Sequence, residues 1–117
     1  MKTKILLLSI IILMASCVQK AYKRTVIFKV DVKGIKNIKK VGLRGKDFPL
    51  SWDHDYEMKL GKDSIYTATI TGETGYLYTE FKCTLNDEFE LKEQNNRRVY
   101  FGTKDTVTCT VKFNVMK

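Results

Sequence analysis

The segment FPLSWDHDYEMKL, residues 48–60, gathers most of the side chains with chemical options: the only Trp, Pro and His of the chain all fall between Pro49 and His54. Trp52 stands among Pro49, Ser51, Asp53, His54 and Asp55, which are loop formers, so a large flat ring is placed on a turn rather than inside an alternating strand. In that setting an indole offers stacking against another flat apolar surface. Its competing use is to cap one end of a core, since Trp is largely buried on average. Asp53, Asp55 and Glu57 alternate around His54 and raise metal chemistry. Met58, however, stands where a calcium loop needs its sharp-turn Gly, and Ser64 where it needs its closing carboxylate. One His without outward thiolates does not build the usual zinc site.

Catalytic patterns are weaker still. Ser51 and His54 are neighbours in sequence, but they lack the strand, turn and helix context of a nucleophile elbow or triad. Glu88, Glu90 and Glu93 could supply a carboxylate pair, yet nothing isolates two of them in a deep cleft. No glycine-rich loop cradles phosphate. A non-enzyme that needs no metal or other cofactor is the expectation.

The elements that must position Trp52 are strands. TVIFKVDVKG alternates Val26, Phe28, Val30 and Val32 against Ile27, Lys29, Asp31 and Lys33, the period of a half-buried strand. KKVGLRG, YEMKL, SIYTATITG, YLYTEFKCTL, FELK, RRVYFG and DTVTCTVKFNV follow, separated by turn material such as GKD, GETG, LND, EQNN and GTKD. Helical periodicity is absent after the first residues, so an all-β sandwich or small barrel of about seven to eight strands is expected. Alternation assigns Tyr66, Ala68 and Ile70 to the core, with Phe81, Cys83 and Leu85, Val99 and Phe101, and Val107, Cys109, Val111 and Phe113. Tyr76, Tyr78 and Tyr100 are strand tyrosines able to enlarge an aromatic surface.

With 117 residues the chain holds one domain. Lys2 and Lys4 precede the apolar run ILLLSIIIL and then MASC, the pattern of an export signal, and the run is shorter than the roughly 20 residues a bilayer span needs. MASC resembles the lipobox of bacterial lipoproteins, in which the Cys becomes the acylated first residue. That resemblance implies a signal peptide over 1–16, lipidation of Cys17, a tether over 17–24 and a domain over 25–117. The product would be an exported, membrane-anchored lipoprotein of the cell envelope. Each buried methylene of its acyl chains would add about 0.8 kcal/mol of membrane affinity. The formal charge of +8 is unevenly spread: residues 18–46 carry ten Lys or Arg against Asp31 alone, whereas residues 47–117 are slightly acidic. Cations therefore crowd the end nearest the anchor, within reach of lipid phosphates. They lie on strand and linker positions without interleaved aromatics, which argues against a nucleic-acid partner. Cys83 and Cys109 are an even pair in an exported domain, open either to a disulfide or to two buried thiols, and alternation turns both inward.

The order of these features resembles the starch-binding domain of carbohydrate-binding module family twenty. That family shows a strand with a VG step, a loop ending in W-D, a W/Y-x-x-x-V strand, an F-E-Y-K-F strand and a loop ending in P-N-R. Here those are Val41 and Gly42, Trp52 and Asp53, Tyr66 to Ile70, Glu80 to Cys83, and Asn95 to Arg97. The match spans roughly residues 26–113. The resemblance implies an immunoglobulin-like antiparallel β-sandwich that binds α-glucan without cleaving it. In the family's main site two rings stack on sugar faces while a Lys and an Asn bind hydroxyls. Trp52 matches the first ring, Lys82 the Lys and Asn96 the Asn. The second ring falls at Leu91, and Phe89, two residues earlier and on the same face of a regular strand, is the available substitute. The family's other site uses a Tyr in the loop that here spans Gly34 to Lys39 and has no aromatic. One weakened site for a polysaccharide or oligosaccharide is implied, beside a separate glycan-degrading or transport protein. The alternative is a structural or protein-interaction envelope lipoprotein whose sugar site has decayed.

Overall fold

The computed structural model describes residues 20–116; the expected signal segment and Cys17 lie outside them. The described residues form nine strands and no helix: β1 (Tyr22–Asp31), β2 (Val41–Gly45), β3 (Tyr56–Glu57), β4 (Lys59–Leu60), β5 (Ile65–Thr74), β6 (Tyr78–Leu85), β7 (Glu88–Phe89), β8 (Arg97–Tyr100) and β9 (Thr106–Lys112). One sheet has the order β4-β5-β1-β9. The other runs β3-β2-β6-β7, with β8 also paired to β6. Both β7 and β8 use β6, β8 along Tyr78–Phe81 and β7 along Thr84–Leu85.

One core lies between the sheets, consistent with a β-sandwich. Phe28 of the first sheet meets Phe81 of the second edge to face, with ring centroids 4.7 Å apart. Around them are buried Val26, Val30, Leu43, Met58, Ile70, Cys83, Val99 and Phe101, with Tyr66, Ala68, Leu85, Val107, Cys109, Val111 and Phe113 packed against them. Every core position assigned from alternation therefore contributes to this cluster. The alternation works because a strand sends successive side chains to opposite faces. The β6–β7 turn also follows its sequence: Asn86 and Asp87 take φ of 51° and 69°, joining Leu85 to its partner Glu88 as a two-residue hairpin.

Three expectations need correction. YEMKL is two strands, β3 pairing with β2 in one sheet and β4 with β5 in the other, so the strand number exceeds the expected seven to eight. Met58 is the pivot. Its amide donates to the Val41 carbonyl at 2.8 Å while its side chain enters the core. The sandwich is not wholly antiparallel, because β1 and β9 pair in parallel over Thr25–Asp31 and Thr106–Lys112. These first and last strands are joined through all the others, so no short hairpin forces them to run oppositely. Regular pairing begins before residue 25: Tyr22, Lys23 and Arg24 lie opposite Thr74, Glu73 and Gly72, in polar positions that apolar alternation does not register. Of the two alternatives left open for the cysteines, the structure has free thiols, Cys83 buried and Cys109 half-buried. They sit on strands of opposite sheets. Burial pushes the Cys83 thiol well above its ordinary pKa, and the nearby Glu90 carboxylate pushes it further.

Candidate functional site

The loop from Lys46 to Asp55 carries Trp52 and is fixed at both ends. Leu50 enters the core, and its amide closes a turn on the Asp47 carbonyl at 2.9 Å. Ser51 Oγ accepts the Asp53 amide at 3.1 Å, a local turn bond typical of Ser before a loop. At the far end Asp55 lies flat on the outer surface of the second sheet. It can do so because β2 has Gly42 there: a Cβ on that residue would come within 2.7 Å of Asp55 Cγ and 2.8 Å of Thr84 Oγ1. Thr84 points outward with Lys82 and Glu80, as alternation requires, yet it is fully buried because Gly42 and Asp55 cover it.

Arg44 joins this loop to the opposite edge of the sheet. Its Nε donates to Asp55 Oδ1 at 2.7 Å and a terminal nitrogen donates to the Trp52 carbonyl at 3.2 Å. The same guanidinium lies 4.9 Å from the centroid of the Phe89 ring on β7, a cation–π distance. One side chain therefore sets the spacing between the two aromatic residues. Lys40 Nζ adds a second cation 3.8 Å from Asp55 and binds Asp87 at 2.6 Å, contacts that raise the Lys40 pKa, led by the Asp87 hydrogen bond.

Trp52, Lys82, Phe89 and Asn96 line one open depression, with Lys92 and Glu93 at its edge. The four residues expected at the site, drawn from three separate stretches of sequence, thus stand together. Trp52 is half-buried, neither a fully open plate nor a core residue. Lys82 Nζ donates to the carbonyls of Leu91 at 3.1 Å and Gln94 at 3.0 Å, so the ammonium pins the β7–β8 loop as well as facing the depression. Exposed Asn96 donates to Glu80 Oε2 at 3.3 Å.

Phe89 and Leu91 do not share a face. β7 ends at Phe89, Leu91 adopts φ of 50°, and its side chain is buried. A positive φ in a branched, bulky residue is unusual and ends the period of two. It is held here by the Leu91 amide, which donates to Asn114 Oδ1 at 2.8 Å. Leu91 thus belongs to the core, and Phe89 alone reaches the depression.

Beneath the same loop lies Glu90, raised from the sequence only as one of three carboxylates that could pair with one another. Glu90 and Arg97 form a two-pronged ion pair, both contacts 2.8 Å, with side chains 0% and 4% exposed. The Glu90 carboxylate also accepts the amides of Cys83 at 2.8 Å and Asn114 at 2.9 Å. Arg97 further donates to the carbonyls of Lys112 and Val115. Burial pushes the Glu90 carboxyl up, but the bonds from Arg97 and the two amides outweigh it and leave its pKa below the ordinary value. Arg97 loses to burial and gains more from Glu90, so its pKa is raised. The fork-to-fork geometry suits Arg and a carboxylate. The sequence signal was the register of Arg97, two and four positions before the inward-facing Val99 and Phe101.

Among the described residues, His, Cys, Asp and Glu form no group of three or more placed to hold a metal ion. The arrangement suits contact with a flat polar ligand: rings for its apolar face, an ammonium and a carboxamide for its hydroxyls. The chain matches no model of a known protein family and no curated protein.

Proposed function

We propose that this chain is a non-catalytic carbohydrate-binding module, an immunoglobulin-like sandwich held at the cell envelope by an acylated Cys17, with α-glucan as its favoured ligand. The observation that carries the reading is the convergence of Trp52, Lys82, Phe89 and Asn96 on one open depression. The apolar C–H face of a glucose ring and an indole both shed water when they meet, and a loop fixed at Leu50 and Asp55 loses little entropy in the contact. Hydroxyls would then find the Lys82 ammonium, which has one N–H beyond its two loop bonds, and the Asn96 amide. Stacking of this kind is worth about 1 to 3 kcal/mol per ring, which supports millimolar rather than micromolar affinity. A separate glycan-degrading or transport protein of the envelope would use the held glycan.

Affinity electrophoresis through soluble starch tests this directly. Wild type should be retarded and Trp52→Ala should run about as fast as in a starch-free gel; equal migration of the two in starch would refute the reading. A structural or protein-interaction lipoprotein is the second reading, favoured by the burial of Leu91 and by the loop bonds of Lys82. Its signature is capture of an envelope protein with no retention on a glycan array.

A further inference from the structure

The two most exposed large apolar side chains among the described residues are Phe48 at 86% and Leu77 at 72%, and they belong to one end of the sandwich. Pairings and contacts locate that end. Tyr22 opens β1 opposite Thr74, at the close of β5. A Cβ on Gly72, two residues before, would stand 2.5 Å from the Phe48 carbonyl, so the β2–β3 loop lies against this part of β5. Leu77 in the β5–β6 hairpin accepts the Phe101 amide at 3.0 Å, and Tyr100 lies opposite Tyr78 with ring centroids 5.4 Å apart. Exposed Tyr22, Tyr76 and Tyr100 complete an apolar rim around Phe48 and Leu77.

Cations are interleaved with these rings. Lys46 Nζ is 4.1 Å from the Tyr76 centroid, and Lys20 and Arg24 approach the Tyr22 ring at 5.5 and 5.2 Å. Lys23 and Lys104 lie on the same end, Lys104 through its carbonyl, which accepts from Arg24 at 2.7 Å. The acids among them are Asp47, Glu73 and Asp105. Asp47 accepts the Thr79 hydroxyl at 2.6 Å, and Asp105 stands 3.9 Å from Arg24. Protruding Phe, Leu and Tyr with Lys at their side is the composition that settles at the headgroup level of a bilayer. An exposed apolar group of this kind on a small domain calls for a partner.

We propose that this end of the sandwich docks on the anionic headgroup layer of a membrane, with Phe48 and Leu77 entering the interface and Lys20, Lys23, Lys46 and Lys104 facing lipid phosphates. The choice of occupant follows from where the chain enters: the described residues begin at Lys20, on this end, and the chain preceding it bears Cys17 and the apolar run. The proposal deepens the envelope-anchor reading, giving the anchored domain a fixed attitude rather than a loose tether. It leaves the Trp52 depression on the outer face of the second sheet, further along β6 from Tyr78.

All core residues fall between Val26 and Phe113 and all nine strands follow Lys20, so an acyl-free chain beginning at residue 20 carries the complete core. That chain is floated with vesicles of phosphatidylcholine containing phosphatidylglycerol, and with phosphatidylcholine alone. Co-flotation is expected with the anionic vesicles only, weakening in high salt, and falling about fivefold for each cation removed in Lys46→Ser and Lys104→Ser. Phe48→Ser with Leu77→Ser should abolish it while leaving the thermal unfolding midpoint unchanged, because both side chains are already in water. Absence of co-flotation, or equal co-flotation of the wild type and these variants, overturns the proposal. Incorporation of labelled palmitate at Cys17 is read separately in the full chain, so a missing anchor and a missing docking surface give different results.

Discussion

The two ion pairs that flank the β7–β8 loop use the same chemistry to opposite ends. Glu90 and Arg97 lie inside, almost without exposure, and their remaining hydrogen-bonding groups are spent on Cys83, Lys112, Asn114 and Val115. Asp55 and Arg44 lie outside on the sheet, 9% and 17% exposed, and Arg44 spends its other contacts on the Trp52 carbonyl and the Phe89 ring. The inner pair closes the fold around the C-terminal segment; the outer pair spaces two aromatic residues. A fully buried pair is costly to break because the surviving charge is stranded, whereas cutting the outer pair strands Asp55 only in part, since Lys40 stands 3.8 Å from it. The same geometry in two settings therefore separates what holds the domain together from what shapes its surface.

Breaking the inner pair should give the largest effect. Glu90→Ala strands the Arg97 guanidinium and two backbone amides, and is expected to cost about 3 to 5 kcal/mol, read as a lowered urea midpoint. Against ordinary domain stabilities of about 5 to 15 kcal/mol, that leaves a marginal protein. Arg44→Met sharpens the contrast. It keeps the apolar stem but loses the bonds to Asp55 and Trp52, so a stability loss of about 2 to 3 kcal/mol should accompany a several-fold loss of retardation in starch. Near-normal starch retardation in Arg44→Met would show that the outer pair does not set the aromatic spacing.

Acid titration gives the smallest effect, and comparison with Glu90→Gln isolates the share of the inner pair. The Glu90 pKa is depressed below 4.5 in the folded chain, so its stabilisation is complete above that value and is lost as pH falls through the folded pKa. The urea midpoint attributable to Glu90 should stay level from pH 7 to about 5 and decline below about 4.5. In Glu90→Gln that part of the decline should vanish; an identical pH profile in both proteins would mean that other carboxylates govern it.

Most of the core was legible because burial in an extended strand leaves a period of two, and Val26 through Val32 or Val107 through Phe113 display it openly. The Trp52 loop was legible from its turn formers. The grouping of Trp52 with Lys82 and Asn96 came from resemblance, since nothing in the spacing brings residues from different strands together. Where the backbone leaves extended geometry, the reading failed. Leu91 at positive φ turned into the core, and Met58 carried one strand from sheet to sheet. The buried pair was hidden for a different reason: the register of Arg97 turns it inward, but which of the three carboxylates meets it is settled only once the loop is in place. Gly42 shows a third limit, because its need to be Gly comes from Asp55, thirteen positions later, lying across it.

The parallel alignment of β1 and β9 gives the molecule a direction. Both strands start at the same end, so the polypeptide goes in at one end and comes out at the other, one strand length of about 20 Å further on. A cargo spliced into the turn between β8 and β9 would sit beside the entry point, while one appended downstream of β9 would be carried outward like a lamp on a post.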